Sequence, residues 1–205
     1  MNSLYRFRLN PKGVDRFSES ISNGFICLGW PLTKSVAGLD KQQLKDRINK
    51  SYSNENYTSK QLGMFAGYFT RMLSLKKDDY VLITAPKRQL LIAKVTQGYY
   101  YDGSYADKHM SHQVGIEPIK YVSIDSLSLS LKRTLEAVNS VVRVQTQEQI
   151  NEVAALIEFE EIEVSERVSR EILYEDFSKK ISITLTGNVT RSELLSVVQK
   201  INFTE

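Results

Sequence analysis

Two apolar runs, YVLITA at 80–85 and LLIAKVT at 90–96, stand either side of Pro86-Lys87-Arg88-Gln89. The runs are too short for helices and rich in β-branched residues, and the punctuation between them is turn chemistry. The chain must therefore build a β-hairpin here. The returning strand leads straight into Gly98-Tyr99-Tyr100-Tyr101. Successive side chains on a strand point to opposite faces, so three tyrosines in a row put phenol rings on both. At least one ring belongs to a core. The others need a reason to be there, either packing or a ligand.

Around the hairpin, YRFRL (5–9) alternates as an opening strand, and VDRFSESISNG (14–24) reads as a short helix stopped by Gly24. FICLGW (25–30) is a short apolar strand. LDKQQLKDRINKSY (39–52) is an amphipathic helix. In SKQLGMFAGYFTRMLSL (59–75), Leu62, Phe65, Ala66, Phe69, Met72 and Leu73 share a helical stripe. Gly63 and Gly67 within it suggest close approach to a sheet, or a break. After the loop 103–113, GIEPIKYVSI (115–124) reads as a strand that Pro118 pushes to an edge or a bulge. A short helix lies within 123–138, and VVRVQ (141–145) is a closing strand or a stem. Short strands broken by helices, with few parallel crossovers, predict an α+β fold with a small mixed β-barrel.

Charge divides the chain. Residues 1–147 hold 21 Lys+Arg against 12 Asp+Glu, a net +9, and residues 148–205 hold 6 against 12, a net −6. A basic body attracts polyanions. An acidic tail is an interaction module or a cover for that basic surface, and two solvated faces are the plainer account. The expected domains are 1–146, basic, and 147–205, an acidic helix-strand-helix module for self-association or for an effector protein. In the latter, TQEQINEVAALIEF (146–159) is a helix, KISITLTG (180–187) a strand, and Thr190 to Glu193 a capping-box pattern before a last helix.

The usual marks of catalysis are missing. No phosphate-binding glycine loop, dinucleotide fingerprint or HExxH stands in the sequence. His109 and His112, three apart in a loop with Asp102 and Asp107 nearby, are a thin donor set for a metal. The acidic run EFEEIEV (158–164) has no lysine at nuclease spacing. The expectation is therefore a protein that is not an enzyme and carries neither cofactor nor metal. One cysteine, Cys27 in an apolar run, excludes an internal disulfide and reads as a small buried hydrophobe. No apolar run reaches membrane-spanning length and Met1–Gly13 lacks an apolar signal core, so the expected place is the cytoplasm.

An ordered set of motifs carries a likeness. FICLGWP (25–31), LGMFAGYFTRML (62–73), KKDDYVLITAP (76–86), LLIAKVTQGYYYD (90–102) and HQVGIEPI (112–119) follow one another as in a known pattern. The region 3–145 resembles the EVE-like, PUA-superfamily domain found at the N-terminus of Mrr-type restriction system proteins. Arg6 or Arg8, Gly29-Trp30, Lys76 to Val81, Ile92 to Tyr101 and His112 stand at the places of that pattern. It departs from the pattern at Asp78 where glycine is usual, at Val114 where arginine is, and at Pro118 where tryptophan is.

The resemblance implies a PUA/EVE-like barrel that reads a modified base flipped out of a nucleic acid, DNA before RNA, in a restriction or anti-phage setting. Such a base needs flat rings to stack on and polar groups to read its edge. Trp30, Tyr99, Tyr100, Tyr101 and His112 are the implied pocket. Lys34, Lys87, Arg88, Lys94 and Lys108 are the implied grip on the backbone. Each has a plainer role too: Trp30 in a core, Lys87 and Arg88 as a soluble turn, His112 as a loop cap. The alternative function is a sensor that binds a phage protein or small ligand through the same pocket.

Overall fold

The computed structural model describes residues 3–30 and 33–158, and the backbone of a two-stranded hairpin, β7 (Tyr174–Glu175) and β8 (Ser178–Lys179). The chain forms two compact units, Met1–Ala154 and Ala155–Glu205. The acidic run 158–164 beyond its first residue, the strand expected at 180–187 and the capping pattern at 190–193 lie outside the described residues.

The first unit is α+β. Six strands, β1 (Leu4–Phe7), β2 (Phe25–Leu28), β3 (Tyr80–Ala85), β4 (Gln89–Tyr101), β5 (His112–Ser123) and β6 (Val141–Val144), form one sheet in the order β2-β5-β4-β3-β1-β6. Only β1 and β3 run parallel. The sheet curls as a half-barrel, compatible with a barrel-like domain, with β2 and β6 at its two edges.

The hairpin is β3 and β4, and its register puts Tyr5, Val81 and Ala93 in one row and Phe7, Ile83 and Leu91 in another. These sit in the main core with Leu44 and Ile48 of α2 (Lys41–Ser51) and Ala66, Phe69 and Met72 of α3 (Ser59–Leu73). The opposite face of the same strands carries Leu4, Leu82, Leu90 and Ile92, also buried. Both faces being covered explains why the hairpin reads as near-continuous apolar runs.

Capping chemistry sets the helix starts. Asp40 and Gln43 form a reciprocal capping box on α2, as do Thr58 and Gln61 on α3. Ser128 caps α4 (Leu129–Glu136) through the Leu131 N–H. The first helix, α1 (Phe17–Ser22), is shorter than its sequence pattern, because Val14 is extended and half-exposed; Gly24, at φ +71°, ends the turn after it. Gly63 and Gly67 neither break α3 nor face the sheet. The nearest neighbour of a Cβ at Gly63 would be Lys45 of α2, at 3.7 Å.

Pro118 is both at an edge and beside a bulge. It lies beyond Gly115, where pairing of β2 with β5 stops, and next to a register shift between Ile92 and Ala93. Its missing N–H therefore breaks no ladder bond to β2. Helix α5 (Gln147–Glu158) starts within the first unit, and the Gln149 side-chain amide donates to the Ser130 carbonyl and to the Ser130 and Thr134 hydroxyls at 2.9–3.0 Å. Among the described residues no helix is long and apolar enough to cross a membrane.

Candidate functional site

Strand β4 does not end at Thr96. It runs through all three tyrosines, and two register shifts, between Val95 and Gln97 and between Gln97 and Tyr99, bend it there. Register settles their faces. Tyr101 pairs with His112, which pairs in turn with Leu28, and Tyr99 pairs with Val114, so these five share the α3 face. Tyr100 pairs with Gln113 opposite Cys27 and so points to the other side. All three tyrosines are half-buried.

The α3 face gathers an aromatic cluster. His112 is fully buried. Its ring lies against Tyr99 at 6.0 Å and 19°, against Tyr101 at 5.3 Å, and edge-on to Phe69 at 5.0 Å. Phe69 also touches Trp30, at 6.0 Å, and Trp30 packs on Phe65 at 4.7 Å. Trp30, Tyr99, Tyr101 and His112 are thus one continuous cluster. Trp30 is half-buried and packs against the core, and it is not among the residues that wall the hollow at Tyr99.

Tyr99 is the most tightly held of the tyrosines. Its hydroxyl accepts the Val36 N–H at 3.0 Å and lies 2.8 Å from Nδ1 of His112, where either partner can donate according to tautomer. Burial raises the Tyr99 phenol pKa above its ordinary value, partly offset by the Val36 N–H. Tyr100 is raised for the same reason, burial, and then by Asp102. Tyr99 also walls a shallow hollow of about 670 Å³, whose other sides are residues 37–40, Leu73, Leu75, Gln97 and Gly98. The backbone at Gly98 approaches Leu75 closely, since a Cβ there would stand 3.3 Å from the Leu75 carbonyl oxygen.

The basic candidates do not converge. Lys87 and Arg88 form the hairpin turn, at the far end of β4 from the tyrosines. Arg88 pairs with Asp125 at 2.6 Å, and Lys94 with Asp78 at 2.8 Å. Lys108 pairs with Glu19 and lies 5.9 Å from the Tyr105 ring centre. Lys34 is exposed. The Asp78 that replaces the expected glycine adopts φ 71° and is the partner of Lys94. In place of the usual arginine, Val114 is fully buried under the cluster.

The arginine of the opening strand serves the frame. Arg6 is fully buried, and its guanidinium donates to the carbonyls of Thr134 (3.3 Å), Ala137 and Asn139 (2.8 Å). It thereby ties β1 to the C-terminal end of α4, where exposed carbonyls favour a cation. Burial, then Arg8, pushes its pKa down to about 10. Cys27 is buried beside Ser20, and burial pushes its thiol up to about 12. Among the described residues no group of three His, Cys, Asp or Glu is placed to hold a metal ion.

Fold and site together define an α+β domain with an aromatic cluster where β2, β4 and β5 meet α3. The chain belongs to the family described as Domain of unknown function (DUF8426), whose pattern matches residues 9–136. No curated protein matches it. Solved structures overlap it loosely. Protein Atu2648 from Agrobacterium tumefaciens is 14% identical, with a TM-score of 0.39 over 76% of this chain and 93% of that one. Rpa0253 from Rhodopseudomonas palustris is 13% identical, at 0.35 over 75% and 92%. The YTH domain of the Zygosaccharomyces rouxii MRB1 protein, solved in complex with N6-methyladenosine RNA, is 11% identical, at 0.38 over 76% and 87%.

Proposed function

We propose that this chain is a non-catalytic nucleic-acid-binding protein whose first unit takes an unstacked, modified base against Tyr99. The carrying observation is that ring. Two partners fix its hydroxyl, and it walls a hollow of about 670 Å³, a size that suits a flat heterocycle. A ring immobilised before binding loses little entropy on stacking. Gln97 and Asp40 on the same hollow supply a donor and an acceptor for a base edge. The net +9 of residues 1–147 supports a polyanionic partner. The resemblance to the EVE-like domain of Mrr-type proteins favours DNA and a restriction or anti-phage setting, with residues 147–205 recruiting an effector or pairing with a second copy.

One observation favours the sensor reading instead. Three of the five cations assigned to backbone contact, Arg88, Lys94 and Lys108, are in ion pairs with acids. A pocket for a phage protein or small ligand needs no such cations.

The test uses Trp30, the sole tryptophan, which contacts the cluster through Phe69. Its fluorescence is followed while short DNA duplexes with plain, methylated or hydroxymethylated bases, and matching RNA strands, are added at two salt concentrations. The expected result is quenching that depends on the modification and is lost in Tyr99→Ala. Binding that ignores the modification and falls steeply with salt reduces the reading to backbone contact. Absence of binding to every strand overturns it in favour of the sensor.

A further inference from the structure

The hairpin end of the sheet holds a second cavity, a cleft of about 680 Å³. Its apolar floor is Phe7, Phe17, Pro86 and Leu135. Its rim carries three cations, Arg8, Arg88 and Lys132, and two carboxylates, Asp15 and Glu136. At about 3.3 Å per residue, the run of β4 from Gln89 to Tyr99 spans roughly 30 Å, so this cleft is remote from the tyrosines.

Arg88 reaches the rim from an unusual backbone. Lys87 and Arg88 adopt φ 57° and 54°, the left-handed region that costs an ordinary L-residue and suits glycine or asparagine. Backbone strain at residues other than glycine gathers at ligand clamps. The strained turn holds a guanidinium whose Nε and Nη2 both reach Asp125, at 3.2 and 2.6 Å, while Lys132 Nζ donates to the Asp125 carbonyl at 2.9 Å. The Arg88 and Asp125 side chains are 72% and 65% exposed, so exchanging that carboxylate for another anion is cheap.

We propose that this cleft binds a nucleotide phosphate. Arg88 presents to the phosphate the same fork that now holds Asp125, and Lys132 adds a second cation from α4. The ring of the nucleotide lies against Phe17 and Pro86, which have accessible surface, whereas Phe7 and Leu135 are buried behind them. Asp15 and Glu136, acceptors on the same rim, take sugar hydroxyls or base amino groups. A fatty acid would leave those two carboxylates unmatched, and an inorganic anion would leave the floor empty. The proposal stands on this cleft alone and does not rest on the tyrosine site. A phosphate of this kind comes either from a free mononucleotide or from a residue within a strand.

The experiment is calorimetric titration of the full chain with adenosine 5′-monophosphate, adenosine, inorganic phosphate and a short oligoadenylate. Wild type should bind the monophosphate more tightly than adenosine or phosphate alone. Arg88→Gly relaxes the turn, so its melting temperature should hold or rise while affinity falls about tenfold or more, as when one charge-assisted hydrogen bond is lost. Lys132→Ala should weaken binding similarly, and Tyr99→Ala should leave monophosphate affinity unchanged. Tighter binding of the oligonucleotide, with the same loss in Arg88→Gly, assigns the phosphate to a strand; preference for the monophosphate assigns it to the free nucleotide. No heat with either at millimolar concentration overturns the proposal. So does affinity that survives both Arg88→Gly and Lys132→Ala.

Discussion

Replacing Arg6 by leucine should cost the first unit about 3–5 kcal/mol, the range for stripping one partner from a buried charged network. The magnitude follows from the three carbonyls of Thr134, Ala137 and Asn139. A hydrogen bond from a charged donor is worth about 1.5–3 kcal/mol, and each buried acceptor left alone costs about 1–3 kcal/mol. Against these stands the recovered desolvation of the guanidinium, several kcal/mol. The contact at 3.3 Å is long and contributes least. The loss is a large part of a stability that for such domains is about 5–15 kcal/mol. Urea unfolding followed by Trp30 fluorescence reads this unit, and with a slope of about 2 kcal/mol per molar the midpoint should fall by roughly 2 M. Arg6→Lys keeps the charge but loses the planar fork, so it should fall between wild type and leucine. A leucine variant within about 1 kcal/mol of wild type would refute the claim that Arg6 ties β1 to the end of α4.

Three further perturbations test the packing. In Gly29→Ala the new Cβ would stand 2.1 Å from Cβ of Pro11, and the backbone must move, so destabilisation of about 3 kcal/mol or more, or failure to fold, is expected in the same urea melt. Cys27 should resist alkylation by iodoacetamide at pH 8 until urea unfolds the chain, because burial pushes its pKa up to about 12 and little thiolate is present. The His109 pKa is lowered by burial, then by Lys12 and Arg16, so the folded state favours the neutral ring. Stability from this group is present above the ordinary histidine pKa and declines as pH falls through it toward the lower folded value; an NMR titration placing His109 above 6.5 would contradict the structure.

The sequence was most legible where local chemistry and burial agree. The helices at 39–52 and 59–75 show in their apolar spacing, while the caps that start them, Asp40 and Thr58, and Ser128 on α4, are bonds that spacing does not name. The hairpin announces itself because both of its faces are buried. What was hidden is set by non-local covering. The alternation of YRFRL reads as a strand with two arginines on a wet face, yet that face is covered near Thr134–Asn139, so Arg6 is buried while Arg8, two residues on, is exposed. The two bulges after Val95 cancel in parity, so Tyr99 and Tyr101 keep the face of Val95 that simple alternation predicts, and what was hidden is that α3 covers that face. The ion pairs of Arg88, Lys94 and Lys108 join residues far apart in sequence, so a count of basic residues overstated the free positive charge of the body. Nothing local signals that Arg8 and Lys132, far apart in the chain, both line the hairpin cleft.

The hairpin cleft, through Arg88 in the turn that opens β4, and the hollow at Gln97 to Tyr99 stand at opposite ends of one strand, and the structure of that strand says how they should interact. Between Leu90 and Ala93 every side chain of β4 is fully buried, with β3 on one side and β5 on the other. Such a segment is close-packed and offers no second arrangement, whereas coupling between distant sites needs an element with two. The bulges and the strained turn lie outside it, at opposite ends. Each end can therefore change without moving the other. In stability, the effects of Tyr99→Ala and Arg88→Gly should add to within about 0.5 kcal/mol, the usual behaviour of sites well separated and without shared partners. In binding, saturating the hairpin cleft with adenosine 5′-monophosphate should leave the Trp30 response to a modified strand unshifted. A departure from additivity beyond about 1 kcal/mol would mean that β4 slides in register as a unit, the bulges after Val95 absorbing the motion, and the two ends would then have to be treated as one site.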